Sequence, residues 1–235
     1  MWHVSYFEDD AMLFFREIIP EKIRSRLIGK NVFISADGFL QEIPYQLFIG
    51  DTPVQSITMI PGFTYYHNYK DSKRNSLLAV SAAKPNILNE NEEQFKTVMR
   101  EGGFDSLAFA QKESEQIIKL ASKYISGSIY HEKDASESWV KRNINNYDII
   151  HFASHSTALS ENYYQECGVI LNGDNQNDGF LSGSEIEQLS LNGQMIFLSS
   201  CESGAGQYLI GEGISSIARS FLSAGASEVI ATLWK

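Results

Sequence analysis

The sequence has few cysteines, no long apolar run and a shortage of basic residues. Only two of its 235 residues are cysteine, Cys167 and Cys201. No CxxC occurs, and a chain of this length does not need a disulfide framework. Both are therefore expected to be reduced thiols in a cytoplasmic setting. No apolar stretch approaches membrane-spanning length. Met1 to Asp10 is acidic and lacks a basic segment ahead of an apolar one, so it is not expected to be a secretory leader. Lys and Arg number 19 against 29 Asp and Glu, a formal net charge of −10, which argues against direct binding of nucleic acid or an anionic membrane. Metal-ligand spacing is missing too. His3, His67, His131, His151 and His155 form no ligand pattern with the cysteines, and no metal or cofactor is expected.

What is present is a foldable core. Hydrophobic residues make up 43% and charged residues 20%, which excludes a disordered chain, and 235 residues suit one large α/β domain spanning the whole sequence. A helix is expected from Asp10 to Leu27, broken or restarted at Pro20 and ended at Gly29. Strands are expected at Asn31 to Ser35, Ser76 to Ser81, Ser128 to Tyr130, Tyr147 to Ala153, Val169 to Leu171, Gln194 to Ser200 and Glu228 to Trp234. Helices are expected at Glu113 to Tyr124, after Asp134 with Glu137 completing a capping box, after Ser182 with Glu185 doing the same, and at Glu212 to Ala224, where Ile214, Ile217, Ala218, Phe221 and Leu222 form one apolar face. Strands alternating with helices imply a mostly parallel sheet covered on both faces.

In such a sheet, ligands bind beyond the carboxyl ends of the strands. Tyr147 to Ser154 runs into His155, and Met195 to Ser200 runs into Cys201. If the two strands are neighbours, a thiol and an imidazole leave the sheet at one rim, which is the minimum equipment for acyl transfer. The small residues after Cys201 let the backbone bend and leave the sulfur accessible. A cysteine at a strand end is also an ordinary small core residue, and the paired His-terminated strand weighs against that reading.

Other patterns compete less well. Asp174, Asp178, Gly179 and Glu185 fall where an EF-hand calcium loop has ligands and its glycine, but a strand precedes them and Glu185 already serves a capping box. A solvated turn is the expected reading. Gly204-Ala-Gly206 lacks the third glycine of a dinucleotide loop, because position 209 is Leu209. A phosphate-binding cysteine loop would need arginine where Gln207 stands. Asp37, at the end of an early strand, either lines the pocket for the residue before the scissile bond and favours a basic side chain, or is a turn aspartate before Gly38. Glu202 carries the same two readings.

Several segments together resemble the CHAT domain, a family grouped with caspases and separases. They are His151-Phe-Ala-Ser-His155, Leu198-Ser-Ser-Cys201-Glu-Ser-Gly-Ala-Gly206, Gly211-Glu-Gly213, and the run from Ala218 to Trp234. Val32 to Pro44 and Leu107-Ala-Phe-Ala followed by Glu113 are similar to the start of that domain. The likeness covers residues 30 to 235. It implies a caspase-like three-layer α/β/α sandwich with a mainly parallel central sheet and cysteine endopeptidase activity on a protein substrate. It makes His155 and Cys201 the catalytic dyad, His151 a structural strand residue, and the backbone N–H groups of Ser156 and Cys201 the oxyanion donors. The family usually has glycine where Ser156 stands, so the resemblance also allows a catalytically weak or inactive interaction module. Relatives are often fused to helical repeats, so a helical-repeat or other sensor domain or subunit is an expected partner. Related domains continue past the Leu-Trp pair at Leu233 and Trp234. The chain is therefore expected to lack a C-terminal segment and to expose Val229, Ile230 and Leu233.

Overall fold

A computed structural model describes residues 13, 17, 19–36, 40, 45, 52–60, 62, 73–88, 106–131, 134–158, 167–199, 207–209, 213–215 and 217–231, with the backbone alone for 157–158, 207–209 and 213–215. The chain divides into two compact units, residues 1–68 and 69–235.

In the first unit, Pro20 sits immediately before helix α1, Glu21–Leu27, as the sequence suggested. Proline suits this place because the first N–H groups of a helix have no intrahelical acceptor anyway. The chain leaves α1 through Gly29, whose φ of 67° is the left-handed conformation that glycine tolerates best. Its N–H then donates to Pro53 O. Strand β1, Asn31–Ile34, pairs in parallel with β2, Ser56–Met59.

The second unit is built on strands β3, Ser76–Ala82; β4, Ser126–His131; β5, Ile149–Ser154; β9, Met195–Leu198; and β12, Glu228–Ala231. They form a five-stranded sheet in the order β12-β9-β5-β3-β4, and every pairing in it is parallel. Both faces carry helices. Helix α2, Ala110–Ala121, lies over β3, β4 and β5 on one face. On the other, α3, Glu137–Asn143; α4, Gly183–Glu187; and α5, Ile217–Ser223, contribute Val140, Ile186, Ile217 and Phe221 to the main core. That is the α/β/α layering expected of a caspase-like fold. The alternation of side chains along each strand divides the residues between the faces. Leu78 and Val80 of β3, Ile150 and Phe152 of β5, and Ile196 and Leu198 of β9 enter the main core. Each such fully buried side chain is worth roughly 1.5–3 kcal/mol. The intervening residues face α2: Ala153 of β5 packs there against Ala83, Ala110 and Leu107.

A second, antiparallel sheet follows β5 at once: β6, Ser156–Ala158; β7, Cys167–Ile170; and β8, Phe180–Ser182, in that order. Strands β10, Gln207–Leu209, and β11, Gly213–Ser215, make an antiparallel pair.

The structure redraws two helices. The one expected over Glu212 to Ala224 begins only at Ile217, because Gly213–Ser215 is strand. Glycine is about 1 kcal/mol worse than alanine in a helix, and Gly211 and Gly213 flank the discarded turn. The helix expected to open at Asp134 is capped instead by Ser136, whose hydroxyl accepts from Trp139 N–H, and Glu137 is the first helical residue rather than the capping partner. The second capping box is present as read: Ser182 Oγ accepts from Glu185 N–H while the Glu185 carboxylate accepts from Ser182 N–H. On edge strand β12, Val229 packs against the core and Ile230 is 49% exposed. Leu233 lies outside the described residues.

Candidate active site

Strands β5 and β9 are direct neighbours, as the sequence reading required. Phe152 stands level with Leu198 in the parallel register, and Ser199 N–H closes the ladder on Phe152 O at 2.9 Å. His155 follows the last residue of β5 and is half-buried. Cys201, Glu202 and Asp37 lie outside the described residues.

Ser156 opens β6 in extended backbone, a conformation that serine adopts without strain. Its ladder partner is Val169. The neighbouring position carries the inter-strand bond, from Ile170 N–H to His155 O at 2.9 Å. Because bonded and non-bonded pairs alternate along an antiparallel ladder, the Ser156 N–H is turned away from β7.

His151 is interior to β5 and only 6% exposed. Its Nε2 lies 2.9 Å from Glu113 Oε1 on α2, and its ring stands beside Phe197. Burial pushes the imidazole pKa below its ordinary value, against the pull of Glu113. A histidine locked between a helix carboxylate and the sheet fits the structural role expected of it. The other cysteine is placed as an inert thiol: Cys167 is buried in β7, and burial raises its pKa to about 11.

The turn after β7 is tied up internally. Burial works to raise the pKa of Asp174, but hydrogen bonds from Ser138 Oγ and the N–H groups of Gln176 and Asn177 outweigh it and hold the carboxyl at about 2. Glu185 accepts from Ser182 and from Lys141 Nζ. These carboxylates are committed to turn and cap, and no metal-holding cluster occurs among the described residues.

Three polar links went unseen in the sequence. Glu113 reaches His151. Ser81 Oγ lies 2.5 Å from His131 Nδ1 across the ends of β3 and β4. Lys141 joins Glu137 and Glu185. Only the last had a local signal, since Glu137 and Lys141 are one helical turn apart.

The ends of β5 and β9 thus form a shared rim beyond which the two reactive residue types follow in sequence. A family model for the CHAT domain matches residues 11–235. No curated protein matches the chain. With the parallel sheet, the layering and the order of motifs in agreement, the chain belongs to the CHAT family of caspase-like protease domains.

Proposed function

We propose that this domain is a cysteine endopeptidase in which Cys201 is the nucleophile and His155 the general base and acid. One observation carries the reading, the register of β5 on β9. Phe152 is level with Leu198, and by count His155 follows the first at the same interval as Cys201 follows the second. The alternation of faces agrees. His151, Ala153 and Phe197 lie on the α2 side, and positions 155 and 201 share their parity.

The chemistry follows. His155 takes the proton from the Cys201 thiol as sulfur attacks the scissile carbonyl carbon. The oxyanion is steadied by the backbone N–H groups of Ser156 and Cys201. Collapse expels the amine, which takes the proton back from His155 and leaves a thioester. Water, deprotonated by the same imidazole, then releases the acid and restores the thiol. The extended backbone of Ser156, which serine adopts without strain, supports an oxyanion role without glycine at that position. The alternative, an inactive caspase-like interaction module, predicts no labelling of Cys201 by a thiol-reactive peptide probe.

Glu202, next to Cys201 in the sequence, is proposed for the substrate pocket as a carboxylate favouring a basic side chain. The substrate is a protein, the controlling partner a helical-repeat or other sensor, and the setting cytoplasmic. No helix among the described residues is long and apolar enough to cross a membrane.

The test is labelling by a thiol-reactive peptide probe, with the modified residue identified by mass spectrometry. Labelling confined to Cys201 and dependent on His155 is expected. Equal labelling of Cys201 in the His155→Ala variant would sink the proposal.

A further inference from the structure

Glu137 is a carboxylate with no exposed surface. Removing a charge from water costs several kcal/mol unless it is paired and hydrogen-bonded, and a buried pair often contributes more to register than to stability. One oxygen of Glu137 is hydrogen-bonded and the other is ion-paired without a hydrogen bond. Oε1 contacts Lys141 Nζ one helical turn on, and Oε2 accepts the buried N–H of Gly179 at 2.9 Å. Its backbone N–H also donates, at 3.0 Å, to Asn172 O. One residue therefore grips both arms of the turn 172–179 that joins β7 to β8.

That turn leads directly to the dyad. Gly179 O accepts from Leu171 N–H at 2.7 Å, and the preceding residue, Ile170, donates its own N–H to His155 O. Two hydrogen bonds and one chain link thus lead from the Glu137 carboxylate to the residue that holds the His155 carbonyl. The turn has no slack to absorb a shift. Gly179 has φ 99°, and a Cβ there would stand 2.6 Å from Gly173 N. A one-residue slip of β7 would turn its side chains to the opposite face and take Ile170 out of reach of the His155 carbonyl.

We infer that Glu137 is a positioning residue for the catalytic dyad, acting through the turn 172–179 and strand β7 to fix the main chain at His155 and Ser156. The inference rests on the assignment of His155 proposed above. Glu137 touches neither substrate nor thiol, and its contribution is to the reach of the imidazole toward Cys201.

The experiment compares two neutral pairs in the full chain, Glu137→Met with Lys141→Met and Glu137→Gln with Lys141→Met. They match in charge and nearly in shape, and differ in whether Gly179 keeps an acceptor. The readout is the pH profile of Cys201 alkylation by iodoacetamide, followed by mass spectrometry below the melting transition. The wild type should show an apparent thiol pKa below the free value of ~8.5. The methionine pair should shift toward that value by about one pH unit, and the glutamine pair should stay with the wild type. A folded methionine pair with the wild-type profile, or a glutamine pair shifted as far, overturns the inference. Amide exchange on the wild type tests it without any variant. Ile170 and Leu171 should exchange far more slowly than the turn amide of Asn175, and equal rates overturn the clamp. His155→Ala is run alongside. If it too keeps the wild-type profile, the assignment of His155 fails. If it shifts and the methionine pair does not, the positioning role alone fails.

Discussion

At the rim where the parallel strands begin, polar side chains are turned back onto the backbone. Arg74 donates to Asp148 O, Gly193 O and Ser227 Oγ, and pairs with Glu228. Asp148 accepts from Asn75 N–H, Ser76 N–H and Ser76 Oγ at 2.8–3.0 Å. The Asn75 N–H is the largest of the influences that hold the Asp148 carboxyl below its ordinary pKa. At the rim where the strands end, Ser81 and His131 bond each other, and the chain then runs on into His155 and toward Cys201. The same sheet therefore ties strands together at one rim and, on the proposed assignment, offers the other for chemistry. Substitutions at the two rims should differ in kind: loss of stability at one, loss of turnover at the other.

The most severe break in that comparison is Cys201→Ala, which should abolish peptide hydrolysis while leaving the melting temperature close to that of the wild type. Cys167→Ala should retain most activity, because its thiol is buried and protonated with a pKa of about 11. Turnover assays on a peptide library, run beside thermal melts, check both. A dead Cys167 variant with normal melting would reverse the assignment. Next in size, His155→Ala should lose ~10²–10⁴ in rate, as expected for removal of a general base. His151→Ala should do the opposite, lowering the melting temperature through loss of its bond to Glu113 and sparing the rate of the folded fraction. A stable His151 variant as slow as the His155 variant would show that both imidazoles take part. At the opposite rim, Asp148→Ala strands three donors and should cost about 1–3 kcal/mol by denaturant titration, with kcat unchanged.

The smallest effect is the pH dependence contributed by His151. Its folded pKa lies below the ordinary value of about 6.5, so the unfolded chain binds the proton more readily. The stability it contributes is complete above that ordinary value and falls as pH drops through the lower folded one. His151→Gln should flatten this part of the stability–pH curve, measured by denaturation between about pH 5 and pH 7. An unchanged slope would mean that another group titrates there.

How much of this was legible depends on the range of the forces involved. Strands such as Ser76–Ala82 are runs of apolar residues bounded by polar ones, and a fully buried parallel strand can take no other form. The capping box at Ser182 is a contact between near neighbours, and it was read correctly. The same spacing misled at Asp134, where Glu137 is drawn into the fold by Gly179, a partner far along the chain. The apolar face over Glu212 to Ala224 was genuine only from Ile217 onward, because strand pairing claimed the residues before it. At the candidate site, the strand ending in His155 and its neighbour were legible as apolar runs stopping at reactive residues. The bonds from Glu113 to His151 and from Ile170 to His155 were not, since each joins segments that only the folded sheet brings together.

The Arg74 cluster has a consequence for folding kinetics. Its partners lie in separate stretches of chain, as far as 154 positions away, so the set is complete only when β5, β9 and β12 are side by side. Closing such long loops costs chain entropy, so these contacts are expected to form late in folding. A guanidinium that joins last is among the first to let go. Replacing Arg74 should therefore leave the refolding rate nearly as it is and hasten unfolding, which a denaturant chevron would show as a displaced unfolding limb beside an unmoved folding limb. On this view the polar belt at the starting rim acts mainly as a brake on unfolding, governing how long the assembled sheet persists.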